Sequence, residues 1–516
     1  MRKNLLIGFS LITAAACFYF IPSYQPKQKL IPKDQFIQGI AKEESEEEDG
    51  DGYDEAAARD LFEFERIKDP ALGYVPMERM MKAVDYTESL KQSASANRTA
   101  KTLDVLNWTE RGPVYDLVGP SGNSRGPGTH YTAGRTRAIL IDTLNDPSGN
   151  TVFCGGIAGG LWKCTTFLTG TPNWQVINDR FDNLAISSIC QDPTTPSVLY
   201  FATGEPTNNA DAVYGGGIWK SANAGATWSK LPSTTGFLRA FKIVCDAAGN
   251  VYLANRNTNP PASAASGLYR SKDGGTTWEA ITPAVRTSGN AIPTDIEIST
   301  TGRLHVSLGY SAAAVQHQYT DDAANVTPAV GWNASTGIRM NTTVAANRLE
   351  LATSGDVLYA VTINSANNVD SSYKSIDAGA TWTKQNTAAY TAQITNTQGW
   401  YNLTLAINPS NTNEFLVGGL DAYRSVNSGL TVTRQTFWAS GTPYVHADHH
   451  FMQWWNVGTQ SRVVIGCDGG VFLSNNGGTT FIDRNQNLAI KQFYDGAIHP
   501  AAGSPYLLAG AQDNGV

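Results

Sequence analysis

Short apolar runs, each ending in a small-residue or glycine step, recur along the chain: Thr151-Val-Phe-Cys-Gly-Gly, Val198-Leu-Tyr-Phe-Ala-Thr-Gly, Asn250-Val-Tyr-Leu-Ala-Asn, Glu414-Phe-Leu-Val-Gly-Gly and Arg462-Val-Val-Ile-Gly-Cys. Runs this short, rich in β-branched and aromatic residues, predict buried strands rather than helices. They alternate with a polar motif that occurs five times, at residues 221–228, 271–278, 375–382, 425–432 and 474–481. Its form is Ser271-Lys-Asp-Gly-Gly-Thr-Thr-Trp278, with Asp or Asn third and Gly fifth. The short polar side chain bonds nearby backbone N–H groups and Gly accepts positive φ, so each copy predicts a tight turn between antiparallel strands.

The spacing of the motif predicts the architecture. Successive starts lie 50, 104, 50 and 49 residues apart, a unit of about fifty residues with one double step. Strand, glycine turn, strand, motif, strand at that period is the pattern of a β-propeller blade. Two degenerate slots, Tyr319 to Trp332 and Lys163 to Trp174, fill the register and bring the count to about seven. After the last motif, Gln492-Phe-Tyr-Asp-Gly-Ala-Ile-His and Tyr506-Leu-Leu-Ala-Gly-Ala-Gln-Asp-Asn-Gly-Val516 repeat the first two strands of another blade, so the chain is expected to end mid-blade. Such an edge is closed either by strands near Trp108 to Val118 or by further sequence in a longer protein. The second option is favoured.

Composition agrees: 49 Gly, 12 Trp and only 16% charged residues suit an all-β chain with aromatic packing. The charge is uneven. Residues 33–66 hold 13 acids against 4 bases, which leaves the remainder slightly basic and gives no sign of nucleic-acid binding. Residues 1–21 read as a secretory signal, with Arg2 and Lys3 before an apolar run and small residues before Cys17, which is also a candidate lipidation site. Residues 22–53 read as an acidic linker, 54–105 as a helical preface with Pro76 at a helix start, and 106–516 as the propeller with an incomplete last blade. Cys190 and Cys245 hold matching places in consecutive blades, either as a disulfide pair or as two small buried residues.

One cluster stands out chemically. Were His446, Asp448 and His450 on one inner strand, the two-residue period would aim all three to one side, as ligands for a divalent metal ion, as acid/base groups, or as partners of one another.

The motif resembles the Asp-box or BNR repeat of sialidases, two-propeller xyloglucanases and sortilin-like domains. Together with Trp108-Thr-Glu-Arg-Gly-Pro, Gly134-Arg-Thr-Arg-Ala-Ile, Gly159-Gly-Leu-Trp-Lys, Gly399-Trp-Tyr-Asn-Leu, Val445-His-Ala-Asp-His-His, Cys467-Asp-Gly-Gly-Val and Gly510-Ala-Gln-Asp-Asn-Gly, it is similar to secreted "glycosyl hydrolase-like" BNR proteins of Bacteroidetes. That resemblance implies export, type IX secretion and outer-membrane partners, and a glycan or an extracellular protein as ligand. The chain lacks the Arg-Ile-Pro segment of sialidases. At the place of the xyloglucanase Asp it has Gly155-Gly-Ile-Ala-Gly-Gly-Leu-Trp-Lys, with no carboxylate. In propellers of this kind the loops after the second strands share one rim, which would gather Glu205, Asp211, Asp421, Asp468 and Asp513 as candidate catalytic carboxylates. Trp400 and Tyr401 would stand beside them as candidate sugar-binding aromatics. Two classes stay open, a binding or scaffold module and a glycoside hydrolase.

Overall fold

A computed structural model describes residues 68–71, 77–96 and 131–514, apart from short loop segments that include 210–211, 258–264, 285–291, 311–314 and 339–347. The signal, Cys17, the acidic linker and the stretch 108–118 lie outside the described residues. Helix α1 spans Met77–Ala96. Among the described residues no helix is long and apolar enough to cross a membrane.

Seven four-stranded antiparallel sheets follow in chain order, each with its strands in sequence order, and a two-stranded sheet comes last. Blade 1 runs from Thr136 to Val176, blade 2 from Ile186 to Lys230, blade 3 from Ala240 to Ala280 and blade 4 from Pro293 to Ala334. Blade 5 spans Arg348 to Lys384, blade 6 Thr404 to Arg434 and blade 7 His449 to Asp483. The first strand of each blade packs against the first strand of the next, and that of blade 7 packs against that of blade 1. These seven strands line the central channel of a closed β-propeller. Both degenerate slots form hairpins, between the third and fourth strands of blades 1 and 4.

The motif does what its chemistry predicts. In blade 5, Ser375 Oγ donates to Asp377 Oδ1 and accepts from Gly379 N, while Asp377 accepts from Thr381 N. The other four copies repeat this set. The motif glycine has a second role: a Cβ there would meet the preceding blade, at Phe153 for Gly225 and at His305 for Gly379. Each turn is thus pressed onto its neighbour.

The cores lie between blades. Ile139, Ile141 and Val152 of blade 1 pack with Trp455, Val464 and Leu473 of blade 7 and with Leu488 and Ile490 after it. Each such side chain contributes about 1.5–3 kcal/mol when fully buried. Trp174 Nε1 donates to the Arg484 carbonyl, and Arg484 donates to the carbonyls of Gly170 and Thr166. Among the described residues the ring closes by packing of blade 7 on blade 1. That hairpin, Phe493–Ile498 with Leu507–Ala511, is an eighth sheet that reproduces the inner half of a blade.

The inner strands share one irregularity. In blades 1, 2, 3, 4 and 7 the first-to-second-strand ladder skips one inner-strand residue near its start: Arg137, Ser187, Phe241, Thr294 and His450. A bulge frees that residue from the ladder and re-aims its side chain. All five line the channel cavity.

Candidate functional site

At the heads of the inner strands a buried polar cluster joins blades 1, 2, 6 and 7. Glu205, in the loop after the second strand of blade 2, is fully buried. It accepts from Arg135 Nη1 at 3.1 and 3.2 Å and from Asn209 Nδ2 at 3.0 Å, and pairs with Arg137 Nε at 3.3 Å. Arg135 also donates to Gln492, just beyond blade 7. Tyr401, before the inner strand of blade 6, donates to Asp468 Oδ2 at 2.8 Å, and Asp468 Oδ1 meets His450 Nε2 at 2.6 Å.

Burial sets the protonation of this cluster. Asp468 is pushed well above the usual carboxylate range, first by burial and then by the charges of Asp513 and Asp448, against the pull of Arg135 and Tyr401. Burial, then Arg137, Arg135 and Arg348, holds His450 well below its ordinary value, so its ring is neutral.

The structure brings Glu205 and Asp468 into one cluster, with Asp513 close enough for its charge to act on Asp468. Asp421 turns instead to its own blade, where Arg434, Thr436 and the Trp438 amide take both its oxygens. Asp211 lies outside the described residues. The ring of Tyr401 is already covered, with the Arg137 guanidinium at 5.1 Å and His450 at 4.6 Å, and the residue is 8% exposed. Trp400 is half-buried beside it.

The strand geometry expected for His446, Asp448 and His450 needs correction. The strand begins at His449, and Asp448 has a left-handed φ of 63°, so the two-residue period does not reach back to 448 or 446. The three side chains part: His446 Nε2 lies 3.3 Å from the Asp513 carbonyl, Asp448 accepts from Asn402, and His450 meets Asp468. Among the described residues no group of three His, Cys, Asp or Glu is gathered to hold a metal ion. Sequence reasoning missed the guanidiniums that organise the site, Arg135 and Arg137. Their signal was a charged residue at the head of an otherwise apolar inner strand.

Solved structures with this arrangement are propellers. A GH74 xyloglucanase from Xanthomonas campestris matches with a TM-score of 0.52 at 15% identity, over 74% of this chain and 59% of its own. An ancestral GH74 enzyme matches with a TM-score of 0.50 at 15% identity, over 78% of this chain and 54% of its own. The likeness is one of fold. The chain thus spans little more than half the length of these two enzymes, and at this identity they show the β-propeller and nothing of activity. No protein-family model matches the sequence, and no curated protein matches it.

Proposed function

We propose that the propeller is a recognition module that binds a glycan or an extracellular protein through its rim loops. One observation carries this reading: Glu205, Asp421 and Asp468 each have both carboxylate oxygens engaged by internal partners. A glycosidase needs two carboxyls facing its substrate, about 5 Å apart for retention or about 6.5–9.5 Å for inversion. A fully buried Glu205 held by two arginines does not meet an anomeric carbon. On this reading its role is to tie blades together at the channel mouth. The N-terminal signal would place the module outside the cell or on its surface, where type IX secretion or outer-membrane partners would handle it.

Polysaccharide hydrolysis is the second reading, favoured by one residue. Asp448 is partly exposed and pushed up to about 7, by burial against the Asn402 hydrogen bond and with help from Asp513, a value suited to a general acid. The test is a panel of soluble polysaccharides, xyloglucan included, scored for retarded migration of the full chain in affinity gels and for release of reducing ends. Retardation without release supports recognition. Release that Asp448→Asn abolishes overturns it in favour of hydrolysis.

A further inference from the structure

A tryptophan that packs inside a protein usually finds an acceptor for its indole N–H. Trp228, Trp278 and Trp382, which close three copies of the motif, each donate to the carbonyl of the motif glycine at 3.1–3.2 Å. Four more donate to other internal acceptors. Nε1 of Trp219 and of Trp455 is sealed from solvent. Trp400 and Trp438 belong to neither group. Among the described residues their N–H groups meet no acceptor, yet neither is sealed, and both residues are half-buried. Each therefore keeps an edge open to solvent.

Both stand on the rim beside one turn, 419–421, which follows the second strand of blade 6. Leu420 N donates to the Ile394 carbonyl at 2.8 Å, at the start of the loop that carries Trp400, and Asp421 Oδ1 accepts from Trp438 N at 2.9 Å. The Trp400 loop is held in a costly shape. Asn396 and Thr397 have φ of 44° and 67°, left-handed at two consecutive non-glycine residues, the second of them β-branched. Thr397 N donates to Asn368 Oδ1 at 3.0 Å, Gly399 N to the Asn367 carbonyl at 2.9 Å, and Tyr310 Oη to the Trp400 carbonyl at 3.0 Å. Strain of this kind persists only where the surroundings impose it, and it clusters at ligand-holding segments.

Neither loop carries charge. Residues 385–413 and 435–445 contain no Asp, Glu, Lys, Arg or His, and the carboxylate of Asp421 is engaged by Arg434, Thr436 and the Trp438 amide. An ionic ligand finds no free counter-charge on either loop. A sugar ring instead offers C–H groups to the negative face of an indole, and hydroxyls to its N–H and to side-chain amides. We propose that Trp400 and Trp438, beside the turn 419–421, form a stacking platform for a neutral glycan chain, a reading that rests on rim recognition and names its ligand class.

Affinity gels of the full chain with the neutral polysaccharides hydroxyethylcellulose and glucomannan, and with acidic polygalacturonate, test this. Retardation by a neutral polysaccharide is expected, weakened about tenfold or more by Trp400→Ala or by Trp438→Ala. Trp400→Phe and Trp438→Phe, which keep a ring and lose the N–H, are expected to fall between, and they decide the matter if the Ala variants do not fold. In the wild-type chain, limiting N-bromosuccinimide should oxidise Trp400 and Trp438 ahead of the other described tryptophans. Bound polysaccharide should protect both, as read by peptide mass spectrometry. Retardation that the folded variants keep unchanged, or that polygalacturonate alone produces, overturns the platform while rim recognition stands. No retardation by either neutral polysaccharide also overturns it and leaves the rim to a protein ligand.

Discussion

Glu205→Gln separates a structural from a catalytic role by the sign of its effect on stability. The substitution keeps the shape of the side chain and removes the negative charge that two buried guanidiniums share, Arg135 at 3.1 Å and Arg137 at 3.3 Å. Breaking a buried ion pair by neutralising one partner costs about 3–5 kcal/mol, because the other charge stays buried without compensation. Asn209 and the Arg135 contact with Gln492 remain, which places the expectation near the lower end. Against a total stability on the order of 5–15 kcal/mol, the loss is large. Equilibrium urea unfolding of both chains at neutral pH, with matched slopes, measures it as a lower midpoint. A carboxylate kept for catalysis at the expense of stability would show the reverse, a neutral change or a gain of about 0.5–2 kcal/mol. A change below about 1 kcal/mol, or a gain, refutes the argument that Glu205 ties the blades.

Stability should have a broad maximum in pH. Burial holds His305 and His449 near about 3 and His317 and His450 well below their ordinary value, while the unfolded rings take up protons near pH 6.5, so stability is lost as pH falls from about 6.5 toward 3. Asp421 and Glu350, raised by burial to about 6 and about 8, act oppositely: stability is lost as pH rises from about 4 through those values. Calorimetric melts should therefore decline on both flanks, and a melting temperature that rises steadily to about pH 8.5 contradicts these assignments. Cys190 and Cys245 bring their sulfurs to 3.3 Å across blades 2 and 3, so a disulfide oxidant should join them with loss of both thiol hydrogens and stabilise the ring by about 3–4 kcal/mol. Free alkylation of both thiols after such treatment, read by mass spectrometry, would show that they stay apart. Gly379→Ala puts a Cβ at φ 78° within 2.9 Å of His305 and should cost more than Gly355→Ala, at φ 65° with nothing within 4 Å, which carries only the left-handed penalty of about 1–2 kcal/mol. Equal midpoints for the two variants would remove the inter-blade role of the motif glycine.

The blades were legible in the sequence because their signals are local. Ser375, Asp377 and Gly379 define a turn among themselves, and the same turn about fifty residues on marks the next blade. Even the degenerate slots at 163–174 and 319–332 could be placed by spacing. The cluster was not legible for the opposite reason. Arg135 meets Gln492 across most of the chain, and Tyr401 meets Asp468 only because blades 6 and 7 are neighbours at the axis. Strand periodicity also misled at His446 and Asp448, because the left-handed turn at Asp448 resets the side-chain direction just before the strand starts.

The skipped residues of the inner strands separate two kinds of specification in one segment. Because Arg137, Ser187, Phe241, Thr294 and His450 stand outside the pairing ladder, exchanging one leaves the register of its blade untouched while changing what the channel presents. The chemistry of the axis can thus be rewritten on an unchanged frame at Ser187, Phe241 and Thr294, whereas Arg137 and His450 are also held by Glu205 and Asp468. Blades 5 and 6, whose inner ladders run without a skip, offer no such freedom. Variation in binding among chains built this way is expected to concentrate at those three positions.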